Sequence, residues 1–114
     1  MTISREYNFT DKEIKMLSAF GETGIDVTGA QDAESMLEDN MTWMNADDLA
    51  EELKWDKQTI GGVMASLLEK NLIEDSGESA RGASVTDFYL TDEGIRAHWL
   101  LLGLRLIGKV ETAI

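Results

Sequence analysis

Lys57, Gln58 and Thr59 bring a cation, an amide and a hydroxyl together in one turn at the start of a predicted helix. The unsatisfied N–H groups and dipole of a helix N-terminus favour phosphate there, and side chains of these types reach base edges. Further along the same outward face stand Gly61, Gly62, Ala65 and Ser66; the paired glycines permit close approach of the backbone. Arg81, flanked by Gly77 and Gly82, stands at a loop tip from which an arginine can enter a minor groove. The chemistry these residues suit is binding of double-stranded DNA. Catalysis has no comparable constellation: there is no Gly-rich phosphate loop, no Ser–His–Asp spacing and no metal-ligand cluster. Asp47 and Asp48 are neighbours that point apart on a helix, and His98 beside Trp99 reads as a packed or solvent-tipped side chain. With no cysteine and one histidine, the usual zinc site is excluded, so neither an enzyme nor a cofactor is expected.

The elements that must position these residues lie in 45–70. A helix from Asn45 to about Lys54 carries Leu49, Ala50 and Leu53 on one face, with Asn45 as N-cap and Asp48 returning a hydrogen bond. A second helix opens at Asp56 and sets Ile60, Val63, Met64, Leu67 and Leu68 in one apolar stripe. Only Lys54 and Trp55 separate the two, which is the layout of a helix-turn-helix. Then LIED (72–75) reads as a strand, SGESARGAS (76–84) as a turn-rich loop and VTDFYL (85–90) as a β-branched and aromatic strand.

That order, with LLEKNLIEDSGESARGASVTDFYLTDEGI, resembles the wing region of MarR-type regulators, where L-x-x-x-G-L-I leads through a hairpin to L-T-x-x-G. Leu90, Thr91 and Gly94 match as they stand; Asn71 replaces a glycine, and asparagine also accepts the left-handed conformation. The resemblance covers roughly 41–96. The pattern TIGGVMASLLEKNLI with the later FYLTDEGI is also similar to small winged-helix proteins of bacteriophages. The fold expected is mainly α with a small β-wing, a winged helix-turn-helix, and the MarR-type resemblance implies DNA binding in transcription regulation.

The remaining chain fits one domain spanning 1–114, with N-terminal helices and a loop in 1–40, the helix-turn-helix and wing in 41–91, and a C-terminal helix in 92–114. A first helix is expected over 10–20, with Thr10 and Glu13 as a capping box, Ile14 and Leu17 inward, and Tyr7 and Phe9 stapling its start. Gly21, Gly24 and Gly29 predict a loop over 21–31, with Ile25 and Val27 as candidates to tuck down. Residues 31–40 read as a short acidic helix facing Met36 and Leu37 inward, either a solvated surface helix or a contact element for a basic partner. MTWM (41–44) reads as a brief strand with Trp43 in the core, and Trp55 as packing between the two helices.

The C-terminal helix, N-capped by Thr91, is apolar nearly all round. That surplus predicts a two-fold homodimer through Trp99, Leu100, Leu101, Leu104 and Ile107, the alternative being a helix that only covers its own core.

Charge opposes the DNA reading. Twenty-two acids against ten bases give −12: −6 over 1–40, −3 over 41–70, −3 over 71–91, and balance over 92–114. Phosphate neutralisation supplies most of a DNA binder's affinity, so acids at 47–52 and 74–78 lower it. The competing reading is an acidic protein-interaction module or DNA mimic, phage-encoded if that resemblance holds, whose acids at 34–39, 47–52 and 74–78 meet a basic surface of a host protein. No apolar run is long enough for a membrane span and the N-terminus is too polar for a signal peptide, so a cytoplasmic location is expected, the host's if phage-encoded.

Overall fold

Helix α1 runs Asp11–Thr28 in the computed structural model, which describes residues 9–77 and 86–106, with side chains through Gly103. Its start is the expected capping box: Thr10 Oγ1 accepts from the Glu13 N–H, and Glu13 Oε1 accepts from the Thr10 N–H at 2.9 Å. Phe9 packs partly buried against the core at this end, and Tyr7 lies outside the described residues. The helix does not stop at Gly21, as its glycines suggested, but continues to Gly29, which caps it in the left-handed conformation at φ 73°. The reason is close packing. A Cβ at Gly21 would run into the His98 ring, and one at Gly24 would lie 2.8 Å from Thr42 Cγ2. The two positions are thus notches for other elements, and tertiary contact outweighs the ~1 kcal/mol helix penalty of each glycine. Ile25 is partly buried on this extension, whereas Val27 faces solvent.

The remaining elements are α2 (Ala33–Glu38), β1 (Met44–Asn45), α3 (Ala46–Leu53), α4 (Lys57–Glu69), β2 (Ile73–Asp75), β3 (Asp87–Leu90) and α5 (Asp92–Leu106). Asp32 caps α2 by accepting from the Ser35 N–H, and Met36 is fully buried. Asn45 and Asp48 form the capping box of α3. Lys54 ends that helix at φ 62°, and Asn71 follows α4 at the same φ, in the left-handed role expected of it. The antiparallel sheet has the order β1-β3-β2, with Met44 opposite Phe88 and Ile73 opposite Leu90. Beyond β1, side chains replace the ladder: Thr42 Oγ1 accepts from the Leu90 N–H and Asn40 Nδ2 donates to the Leu90 carbonyl, each at 2.9 Å. Residues 41–44 therefore contribute only one residue to the strand, and alternation turns Met44 inward and Trp43 outward, contrary to the expected core position.

The core gathers Met16, Leu17 and Phe20 of α1, Met36, Leu49, Ile60, Met64, Leu67, Leu72, Leu90 and Ile95. Each such side chain contributes about 1.5–3 kcal/mol of burial. Leu68, expected in the stripe of α4, is 41% exposed, and Val63 is only partly buried. Where β3 passes into α5, Thr91 N–H donates to the Leu72 carbonyl at 3.0 Å, and Thr91 Oγ1 accepts from the Gly94 N–H. A Cβ on Gly94 would collide with that same Leu72 carbonyl, a backbone atom that cannot swing aside. Gly94→Ala should destabilise the fold by about 1–3 kcal/mol in urea melts, through overpacking.

Candidate nucleic-acid interface

The rotation of α4 about its axis decides which residues face outward; buried Ile60, Met64 and Leu67 set that rotation, and one buried carboxylate ties its flank to α1. Glu13 is 2% exposed, yet its carboxylate accepts from Lys70 Nζ at 2.8 Å and from the Ser66 hydroxyl. Burial alone would raise its pKa, but hydrogen bonds from Lys70, Ser66 and the Thr10 backbone, with the lysine charge, outweigh it and hold the carboxyl below its ordinary 4.5. Ser66 is therefore turned toward α1 and half-buried, not on the outward face where its spacing suggested it. The outward face is Gln58, Gly61, Gly62, Ala65 and Glu69, all exposed. Nothing else in the described chain comes within 4 Å of where Cβ atoms at Gly61 and Gly62 would stand, so this backbone is bare.

At the N-terminus of α4, Lys57 extends into solvent with its side chain 77% exposed, and its ammonium pairs with Asp47 of α3 at 2.9 Å. Gln58 is exposed and Thr59 half-buried. The helix end carries an anion of its own, because Asp56 Oδ1 accepts from the Thr59 N–H at 2.8 Å. Hydrogen bonds from the Thr59 backbone and hydroxyl hold the Asp56 carboxyl below its usual range. A phosphate approaching this turn meets Lys57 and Gln58 with Asp56 and Asp47 alongside. Arg81 lies outside the described residues; the hairpin leading to it is anchored where Ser76 N–H donates to the Asp87 carbonyl at 3.0 Å.

Trp55 is partly buried beside the helix corner, with the Lys12 ammonium 5.5 Å from its ring centre. On α5, Leu101 is 4% exposed and belongs to the chain's own core, which removes it from the predicted dimer face. Its register explains this: Ile95, His98 and Leu101 form the i, i+3, i+6 row packed toward α1, with His98 in the Gly21 notch. Trp99 is partly buried, its ring 5.3 Å edge-on from His98, while Leu100 is 47% exposed. The Leu104 side chain and Ile107 lie outside the described residues. Among the described residues no three His, Asp or Glu side chains are placed to hold a metal, and no helix is long and apolar enough to cross a membrane.

Two solved structures share this architecture. A complex of S. aureus MepR with DNA aligns over 95% of this chain and 70% of its own, with TM-score 0.61 and 14% identity. The adhesin competence repressor AdcR from Streptococcus pyogenes aligns over 95% and 72%, with TM-score 0.55 and 16% identity. The shared fold is the winged helix. That is the fold expected from the order of helix, turn, helix and hairpin over 41–96. No family model matches the chain, and no curated protein matches it in sequence.

The tie between Glu13, Ser66 and Lys70 was not foreseeable, because its members are 53 and 57 positions apart and each also fits a surface role. Ser66→Ala should lower stability by about 1 kcal/mol in thermal melts while leaving the affinity for any duplex unchanged. Glu13→Gln should cost more, about 1–3 kcal/mol, because it removes the buried charge that Lys70 Nζ meets at 2.8 Å. Since the folded-state pKa of Glu13 is lowered, its contribution is complete above the ordinary value of 4.5 and fades as pH falls through the folded value. The wild-type advantage over Glu13→Gln should accordingly shrink when melts are repeated below pH 4.5.

Proposed function

We propose that this chain is a DNA-binding winged-helix transcription regulator, with α4 as the recognition helix. The observation that carries the reading is the uncovered face of α4: Gly61 and Gly62 leave the backbone bare beside exposed Gln58 and Lys57. A helix of this kind lies in a major groove with its N-terminal residues at base edges. The wing strands β2 and β3, whose intervening sequence carries Arg81, lie at the adjoining groove, and MepR, of like fold, is a protein described in complex with DNA.

Electrostatics then set how the contact is made. Lys57 must exchange Asp47 for a phosphate, an exchange of one exposed partner for another that costs about 0–1 kcal/mol. Asp47 and Asp56 remain as repulsive neighbours, so affinity is weak and steeply dependent on salt. A two-fold pairing through the exposed Leu100 of α5, with partly buried Trp99 at its edge, gives the homodimer that reads two half-sites. The site of action is the cytoplasm, where the DNA lies.

A second reading, an acidic interaction module or DNA mimic, is favoured by the same pair: with Lys57 neutralised by Asp47, the helix-turn-helix presents Asp48, Glu51 and Glu52 in a row. Fluorescence polarisation with mixed-sequence duplexes at low salt separates the two. The regulator reading expects binding that weakens with Lys57→Ala and with Arg81→Ala, each lowering the salt slope by about one. Asp47→Asn should strengthen binding several-fold by releasing Lys57 and removing a repulsive charge. Absence of binding to every duplex at low salt, in both the wild type and Asp47→Asn, would remove this function in favour of the second reading.

A further inference from the structure

The open side of the sheet carries an aromatic surface that the DNA reading does not use. Trp43, just before β1, and Tyr89 of β3 stack at 5.9 Å between ring centres with 25° between their planes. Tyr89 is held from its other end by its hydroxyl, which donates to Glu74 Oε1 on β2 at 2.9 Å. The indole is fixed as well, since Trp43 Nε1 donates to the Asn40 carbonyl at 3.3 Å. Yet Trp43 remains 41% exposed and neighbouring Met41 is 42% exposed. An indole held in place by two contacts and still open to solvent is a ready surface for a partner to cover.

Beside Trp43 the surface dips into an open groove of about 680 Å³ lined by Thr23, Met44, Asp48, Glu51, Glu52 and Lys54. Three carboxylates against one ammonium leave its wall negative. Asp48 and Glu52 sit four residues apart on one flank of α3, while Asp47, which pairs with Lys57, lies on another. The groove takes no lining residue from α4, although Glu51 stands one turn beyond Asp47 on the flank that pairs with Lys57.

We propose that this groove is a docking site for an arginine-bearing segment of a partner protein. Charge complementarity selects the occupant. An arginine lays its planar guanidinium on an exposed indole and offers paired N–H groups to carboxylates within the same reach. Lysine, a point charge with no planar face, gains the charge but not the stacking. An anionic ligand is repelled by the wall, and a purely apolar one leaves Glu51 and Glu52 to be desolvated without partners. The site rests on the acids of the second reading, Asp48, Glu51 and Glu52, adds Trp43 to them, and does not require that α4 leave DNA unbound.

The test is fluorescence polarisation of the full chain, without DNA, against a short labelled peptide carrying two arginines, and against the same peptide with lysines. The arginine peptide should bind at low salt, and Trp43→Ala and the pair Glu51→Gln/Glu52→Gln should each weaken it by about tenfold or more. The control pair Glu34→Gln/Glu38→Gln, which removes equal charge from α2, should change it less than twofold. The lysine peptide should bind several-fold more weakly than the arginine one. No binding to the arginine peptide overturns the proposal. So does equal weakening by the control pair, or equal affinity for the lysine peptide, since either reduces the effect to net charge. The exposed Glu51 and Glu52 substitutions spare the core, so the test stands even where Trp43→Ala fails to fold.

Discussion

Glu13 joins two jobs in one side chain. Its backbone N–H and one carboxylate oxygen close the capping box at the start of α1, and the same carboxylate takes the Ser66 hydroxyl and the Lys70 ammonium from the far end of α4. A buried carboxylate is tolerable only with this number of donors, so the arrangement admits little sliding or rolling of α4 against α1. Once Ser66 is drawn inward, helical geometry leaves Gln58, Gly61, Gly62 and Ala65 outward. The exposed recognition face is thus bounded by a contact on its own flank, one turn beyond Gly62, while Ile60, Met64 and Leu67 anchor the opposite side. A small roll of α4 would expose Ser66 and bury part of the glycine face.

What could be read in the sequence was what depends on short range. The caps at Thr10, Asn45 and Asp56, the corner at Lys54 and Trp55, the left-handed Asn71 and the order of helix, turn, helix and hairpin all follow from residues a few positions apart. The misreadings share a different cause. Gly21 and Gly24 look like helix terminators, but each accommodates a side chain from a distant element, His98 in one case and Thr42 in the other. Trp43 looks like core because it is large and apolar, but its place is set by pairing with β3, which turns Met44 in. Leu68 and Leu101 were assigned by counting along their helices; the bundle packs with a slightly different rotation, leaving Leu68 half out and Leu101 inside. Ser66 fails for the same reason.

Charge and fold make opposing demands on the same helix-turn-helix. Capping favours carboxylates at helix starts, and Asn45 with Asp48 and Asp56 with Thr59 meet that need well. The cost is that a carboxylate stands at the turn where a phosphate would approach. Lys57 partly offsets it, but does so by pairing with Asp47. Stability of the motif and attraction for a polyanion therefore draw on the same few positions, and here the local structure is satisfied first.

The side-chain substitution at Leu90 has a bearing on how copies of this chain coexist in solution. Asn40 and Thr42 occupy the Leu90 carbonyl and N–H that would otherwise extend the ladder along β1. Within the described residues the two outer strands are consequently two and three residues long. Such short borders present no extended row of backbone donors and acceptors to a stranger's strand. A molecule built this way resists edge-to-edge polymerisation even when crowded, so its associations are left to side-chain surfaces.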